Sequence, residues 1–223
     1  FRVVSRESIA RLVRVSLPAA VEPLLLQSGF LIYNKAITLL GTLPMAAHRA
    51  AITVESMTFM PSYGFAVAGS AVVGQYLGAG RPDRADAALR ECARLSTWIM
   101  SAVGVAFFFL AAPLVRLFLR GPEAEGTVTV AAMCLAISAF EQPFMALAMA
   151  LGGGLRGAGD TKSPVLVGLL GVWGVRIPLA WTLAFPAGLG LNGIWITMIA
   201  DWAVRTAVFS VLVRRGTWKA IKL

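Results

Sequence analysis

Seven charged side chains interrupt long apolar stretches of this sequence, and they are the residues best suited to do chemistry there. Four are acidic and three basic: Glu22, Glu55, Glu141, Asp201, Lys35, Arg176 and Arg205. If the apolar stretches lie in lipid, a charge at mid-helix costs on the order of 2.5 to 3.5 kcal/mol, so it needs a partner or a watery cavity. Each of these residues is therefore expected to be ion-paired or to lie on a path for ions or substrate.

Glu22, Glu55 and Glu141 are the candidates for binding a proton or a cation, because a carboxyl group can exchange one for the other. Glu22 lies between Pro18 and Pro23, where unwound backbone could help to hold a cation. Its helical face continues through Gly29 and Tyr33.

Glu55 shares a helical face with His48 and Ser62, each seven residues away, which predicts a polar stripe that faces a cavity rather than lipid. A histidine that only packs is the simpler interpretation of His48. The sequence predicts no catalytic residue, metal site or cofactor. It has one histidine, no HExxH motif and no paired nucleophile and base, so an intramembrane enzyme is not indicated.

The basic side chains have candidate partners. Asp201 and Arg205 are four residues apart on one helix, the spacing of a local ion pair. Glu141 and Arg176 both fall near the middle of their stretches and could pair across adjacent helices. In that case they form a structural strut, whereas a Glu141 that is free in a cleft would be a proton or cation site.

The composition assigns these residues to a membrane protein. The chain has 223 residues, of which 58% are hydrophobic and 14% charged, with a mean hydropathy of +0.76. Soluble domains carry about 25% charged residues. We predict an all-α bundle in one membrane domain, 1–223, with about six spans that are delimited by charged or Gly/Pro breaks: 16–40, 46–76, 93–118, 127–153, 164–185 and 191–213.

The basic residues predict how the bundle is oriented. Fourteen of the twenty fall at the termini, in the segments 77–92 and 154–163, or just beyond the first segment at Arg94, and only Arg116 and Arg120 fall on the other face. The positive-inside rule then makes both termini and both segments cytoplasmic. The net charge of +9 is explained in this way without a nucleic-acid partner. Residues 81–94 are expected to form a helix at the cytoplasmic interface.

Several other features have simple structural interpretations. The Gly-Ala-Gly tripeptides at 78–80 and 157–159 are expected to end helices. Small residues recur along one helix and predict a close helix approach, at Gly64, Ala68, Ala71 and Gly74. Cys92 and Cys134 are expected to pack without a disulfide or zinc site. The chain opens at Phe1 with a charged segment, which indicates an internal start rather than a signal peptide.

Three segments together resemble the MATE family of multidrug exporters. The first runs from Pro61 to Ala85 and contains Val-Gly-Gln and Leu-Gly-Ala-Gly. The second, 154–164, reads Gly-Leu-Arg-Gly-Ala-Gly-Asp-Thr-Lys-Ser-Pro. The third comprises Arg-Ile-Pro-Leu at 176–179 and Gly-Ile-Trp at 193–195, with Asp201, Arg205 and Gly-Thr-Trp at 216–218. The resemblance covers nearly the whole chain.

The resemblance implies one lobe of a twelve-helix fold, the carboxyl-terminal six helices. It implies a secondary antiporter in the plasma (inner) membrane that exports cationic drugs or xenobiotics in exchange for protons or sodium ions. The lobe would need its amino-terminal counterpart or a second copy of itself, because the family alternates access between two lobes. No cofactor other than the coupling ion is implied.

Glu22, Glu55, Glu141 and Arg176 are the residues that we expect along the ion or substrate path. Cationic substrates would contact aromatic and methionine side chains that could equally face lipid or core, namely Phe59, Met60, Tyr63, Phe140 and Phe144. Two alternatives remain open. A flippase for lipid-linked oligosaccharides would show a cationic cavity, and a receptor or structural bundle would transport nothing.

Overall fold

The computed structural model describes residues 6–119 and 124–220, with side chains from residue 23 onward in the first range and to residue 219 in the second. This part of the chain is helical and contains no strand. Its helices are α1 (Arg6–Leu39), α2 (Thr42–Gly78), α3 (Pro82–Arg116), α4 (Glu125–Ser138), α5 (Gln142–Gly157), α6 (Lys162–Leu169), α7 (Ile177–Ala184) and α8 (Gly190–Arg215). A π-helical turn, Leu170–Arg176, joins α6 to α7, and a 3-10 turn, Thr217–Ala220, follows α8.

These helices overlap all six predicted spans. By length and composition, three described helical segments can cross a membrane, namely α3, the continuous Lys162–Ala184 segment and α8. A fourth is added if α4 and α5 count as one span. The long helices α1 and α2 fall outside this group, so six crossings stay a prediction. Large apolar side chains cover the outer surface, among them Phe109 at 74% exposure, as expected of a bundle in lipid.

Two of the prolines lie at places where the spans deviate from straight helices and where predicted site residues are found. Proline has no backbone N–H to donate to the carbonyl four residues back. Pro143 stands in the first turn of α5, directly after a 50° bend between α4 and α5. Pro178 stands in the first turn of α7, directly after the π-helical turn. Both irregularities lie where predicted site residues are found, since Glu141 is in the bend and Arg176 ends the π turn.

The predicted cytoplasmic segments 77–92 and 154–163 are mostly helical rather than loops. Helix α3 begins at Pro82, so residues 82–94 form its first turns and residues 81–94 are not a separate interfacial helix. Likewise α5 continues to Gly157 and α6 begins at Lys162. Only short turns connect these helices. They contain Gly80 and Gly159, which both have positive φ, as expected for glycines that end helices.

The second of these turns is held by a local capping interaction. Asp160 accepts hydrogen bonds from the backbone N–H and the hydroxyl of Ser163, at 3.0 and 2.6 Å. Arg156 and Lys162 are exposed and form no ion pair within the described residues. The geometry agrees with a solvated turn that starts the next helix.

Helix α5 packs against α2, α3 and α8 at the centre of the bundle. Its glycines allow a close approach to α2, because a Cβ atom at Gly153 would overlap the backbone of Ala66, and one at Gly157 would overlap that of Ser70. The predicted small-residue face of α2 is therefore only partly right. Gly74 faces α5, whereas Gly64 and Ala68 are exposed.

Candidate functional site

Asp201 is the anchor of a buried charge cluster between the π-helical turn and α8. Its carboxylate accepts a hydrogen bond from Arg176 Nε at 2.8 Å and another from the Arg205 guanidinium at 2.9 Å. Asp201 is fully buried and Arg176 is 5% exposed. The expected local pair of Asp201 and Arg205 is thus present, and Arg176 joins it from the neighbouring span.

A fourth residue makes this close contact possible. Gly171 lies in the π-helical turn, and a Cβ atom there would overlap the side chains of Asp201 and Arg205. Sequence reasoning did not single out Gly171, because a glycine within an apolar run carries no signal about which helix it touches. Aromatic rings cover the two guanidinium groups: Arg176 Cζ lies 5.6 Å from the ring centroid of Phe30, and Arg205 Cζ lies 4.9 Å from that of Trp202.

The predicted strut between Glu141 and Arg176 is wrong. Arg176 pairs with Asp201, and both carboxyl oxygens of Glu141 are buried without a hydrogen-bond partner in the described part of the chain. The reason is the bend before Pro143, which places Glu141 between two helices instead of on the continuous face of one. An ion pair with Asp201 is also available to Arg176 at closer range.

Glu55 lies within electrostatic range of Glu141. The two residues belong to α2 and to the bend between α4 and α5, and no hydrogen bond joins their carboxyl groups. Arg176 and Asp201 also lie within electrostatic range of Glu141. Glu141 is fully buried and Glu55 is 8% exposed, so Glu55 is the member of the pair that reaches the bundle's open space.

The polar stripe of α2 faces inward, as its spacing indicated. His48, Glu55 and Ser62 are 5%, 8% and 0% exposed. His48 packs edge-on against Trp195, with 5.6 Å between ring centroids, which agrees with a packing role. Of the three, Glu55 lines a cavity.

This cavity, which we call the central cavity, has a volume of about 420 Å³. Glu55, Arg176 and Arg205 supply its buried charges, and Arg156 lies at its exposed end. The rest of the wall is mainly apolar and aromatic, including Phe30, Phe59, Tyr63, Met145, Met149, Met198, Trp202 and Phe209. Such a lining, apolar with few polar groups, is typical of a small-molecule site.

The five expected substrate-contacting residues do not form one surface. Phe59 and Tyr63 line the central cavity, with stacked rings whose centroids are 6.4 Å apart. Met60 points outward at 73% exposure. Phe140 and Phe144 instead line a separate apolar groove on the outside of the bundle.

Lys35 lies away from the central cavity. Lys35 is exposed near the end of α1, where its long side chain can reach the membrane surface, so it needs no buried partner. The side chain of Glu22 lies outside the described residues. Gly29 and Tyr33, on the face predicted to continue from Glu22, are both buried.

Comparison with known proteins places this architecture in a family. The MatE family model matches residues 18–182. The probable multidrug resistance protein NorM of Thermotoga maritima is 31% identical over 93% of this chain and 44% of its own length. A multidrug resistance protein NorM from Burkholderia vietnamiensis is 31% identical over 92% of this chain and 44% of its own length.

A solved structure shows the same fold. It is the inward-facing conformation of a multidrug resistance MATE family transporter of the MOP superfamily, with a TM-score of 0.86 and 19% identity over 95% of this chain and 48% of that chain. The chain is an all-α, multi-pass membrane protein and belongs to the MatE family. It spans less than half the length of the curated relatives that it matches.

Proposed function

We propose that this chain is one lobe of a secondary antiporter that exports cationic drugs or xenobiotics, and that Glu55 and Glu141 bind the coupling ion. The observation that carries the proposal is a pair of buried carboxyl groups within electrostatic range of each other, one of which lines an aromatic cavity. The multidrug resistance names of the relatives support the transport class.

Away from exposed Arg156, the buried and partly buried charges around the central cavity favour a cation as substrate. Asp201 neutralises one of the two guanidinium groups with which it pairs, which leaves one positive charge among Asp201, Arg176 and Arg205. With both glutamates ionised, the five residues carry a net charge of −1, and one bound proton makes them neutral. Proton binding and cation binding thus compete for the same negative charge.

A proton suits this site better than sodium as the coupling ion. Two carboxyl groups within electrostatic range repel each other when both are ionised, which favours uptake of one proton, and an unpaired carboxylate anion as deeply buried as Glu141 would be very costly. Glu55, which lines the central cavity, would pass the proton between the cavity and Glu141. Sodium remains the second candidate and is tested below.

The chain would act in the plasma (inner) membrane with both termini in the cytoplasm. Its excess of basic residues at the termini and at one set of helix connections supports this orientation. As the chain spans less than half of its relatives, alternating access would require an amino-terminal lobe or a second copy of this chain.

The test combines substrate binding with transport. Purified protein is titrated with a fluorescent lipophilic cation at several pH values, with and without sodium, and is reconstituted in liposomes for dye efflux under a proton or sodium gradient. We expect weaker cation binding at low pH, and binding weakened about tenfold or more by Glu55→Gln or Glu141→Gln, since each removes a buried charge. Glu125→Gln is the control, because Glu125 is an exposed carboxylate paired with Arg116.

The outcomes separate the alternatives. pH-dependent binding without efflux would support a lobe that needs its counterpart. Cation binding that neither pH nor the two glutamine variants change would contradict the proposal. Selective binding of an anionic pyrophosphate-linked sugar would favour a flippase, and sodium-dependent, pH-independent binding would make sodium the coupling ion.

A further inference from the structure

A groove of about 340 Å³ opens on the outer surface of the bundle, where α3, α5 and α8 meet. Its floor is apolar and includes Leu147 and Leu151 of α5 and Val213 of α8. None of its lining residues lines the central cavity. We call it the arginine groove, because Arg90, Arg94 and Arg214 line it.

The three arginines retain hydrogen-bonding capacity. Arg90 donates to Asp86 at 3.1 Å and Arg94 to Glu91 at 2.7 Å, yet both arginine side chains remain 66% exposed. Arg214 is exposed and forms no ion pair with any described residue. A guanidinium group has five N–H donors, and each of the two pairs uses one nitrogen, so donors remain for a phosphate.

Charge and apolar surface are separated along the groove in the way that a lipid requires. Arg90 and Arg94 lie in the third and fourth turns of α3, and Arg214 lies in the last turn of α8. Trp98 follows Arg94 by one helical turn, about 6 Å farther along α3, and is 70% exposed. Tryptophan prefers the membrane interface, just below the headgroups.

We propose that the arginine groove binds an anionic phospholipid. The lipid phosphate contacts Arg94 and Arg214, and an acyl chain lies along Trp98 and Leu151. Basic pockets between membrane helices recognise anionic headgroups, and the apolar floor favours a lipid over free phosphate. The site is separate from the central cavity, so it does not depend on the transport activity proposed above.

The test measures lipid-dependent stability of the purified protein. Thermal unfolding in detergent micelles is followed while dioleoylphosphatidylglycerol, dioleoylphosphatidylcholine or inorganic phosphate is added, and native mass spectrometry counts the bound lipids. We expect the anionic lipid alone to raise the unfolding temperature. Replacing Arg94 and Arg214 together with Gln should raise the half-effective lipid concentration about thirtyfold, because each arginine near the headgroup contributes to binding.

Matched variants make the result specific. Arg81→Gln with Arg84→Gln removes two exposed charges of the same region outside the groove and should leave the lipid effect unchanged. Replacing Arg94 and Arg214 with Lys keeps the charge and should preserve more binding than the Gln pair. If the Gln pair does not fold, Arg214→Gln alone tests the site and should raise the half-effective lipid concentration about fivefold.

Three results would overturn the proposal. Equal stabilisation by the zwitterionic lipid or by inorganic phosphate would exclude an anionic lipid site. Equal losses of the lipid effect from the Gln pair in the groove and from the control pair would show that general surface charge causes it. Unchanged lipid binding by the folded Gln pair would show that the lipid binds elsewhere.

Discussion

Asp201 and Glu141 are both fully buried acidic residues, but their surroundings differ. Asp201 accepts hydrogen bonds from two guanidinium groups, whereas neither oxygen of Glu141 has a partner among the described residues. An ion pair that lasts through a conformational cycle stabilises the fold, while a carboxyl without a fixed partner can exchange a proton. The two residues therefore suit different tasks.

This difference predicts a large loss of stability from one substitution and a small change from the other. Asp201→Asn leaves the buried Arg176 and the partly buried Arg205 without their anion, so the free energy of unfolding should fall by about 3 kcal/mol or more. Glu141→Gln removes an unpaired carboxyl and should change the free energy of unfolding by less than about 1 kcal/mol. Denaturant titration in detergent micelles measures both. Similar losses from the two variants would mean that Glu141 has a structural partner as strong as that of Asp201.

At the scale of elements, glycines decide how closely α5 and α2 approach. Gly153 and Gly157 face the backbone of α2, while Gly64 lies on the exposed face of α2 with no atom near its missing Cβ. In lipid, such close contacts supply the packing that holds helices together.

Alanine substitutions at these positions should separate packing from helix propensity. Gly153→Ala forces the helices apart and should lower the free energy of unfolding by about 1 to 3 kcal/mol. Gly64→Ala adds the same methyl group to an open helix surface and should be neutral, or stabilising by up to about 1 kcal/mol. Thermal unfolding in the same detergent compares them. A neutral Gly153→Ala would contradict the tight α2–α5 interface.

For the whole molecule, the helix connections determine which residues share a side of the membrane. Asp83 and Thr161 are exposed at the starts of α3 and α6, and Ala187 is exposed beyond the far end of the Lys162–Ala184 segment. The basic residues cluster at the ends near Asp83 and Thr161. From the positive-inside rule we predict that those ends are cytoplasmic.

Cysteine labelling tests this orientation. In a chain whose Cys92 and Cys134 are replaced by alanine, Ala187→Cys should react with a membrane-impermeant maleimide in intact cells. Asp83→Cys and Thr161→Cys should react only after the membrane is permeabilised. The reverse pattern, or equal labelling of Thr161→Cys and Ala187→Cys, would contradict the proposed topology.

The local features of this protein follow from its sequence. The membrane class, the helical bundle, the inward face of Glu55 and the helix-ending Gly80 and Gly159 depend on composition, periodicity and backbone freedom within a few residues. The resemblance to the MATE family also comes from short contiguous motifs, and the match of the MatE family model confirms it.

The tertiary structure alone decided which residues meet. It paired Arg176 with Asp201 rather than Glu141, buried Glu55 and Glu141 within electrostatic range of each other, and set Gly153 against Ala66. These contacts depend on how each helix is rotated about its axis. A helix that is apolar on nearly every side carries little sequence signal of that rotation, and the bend before Pro143 changes it again.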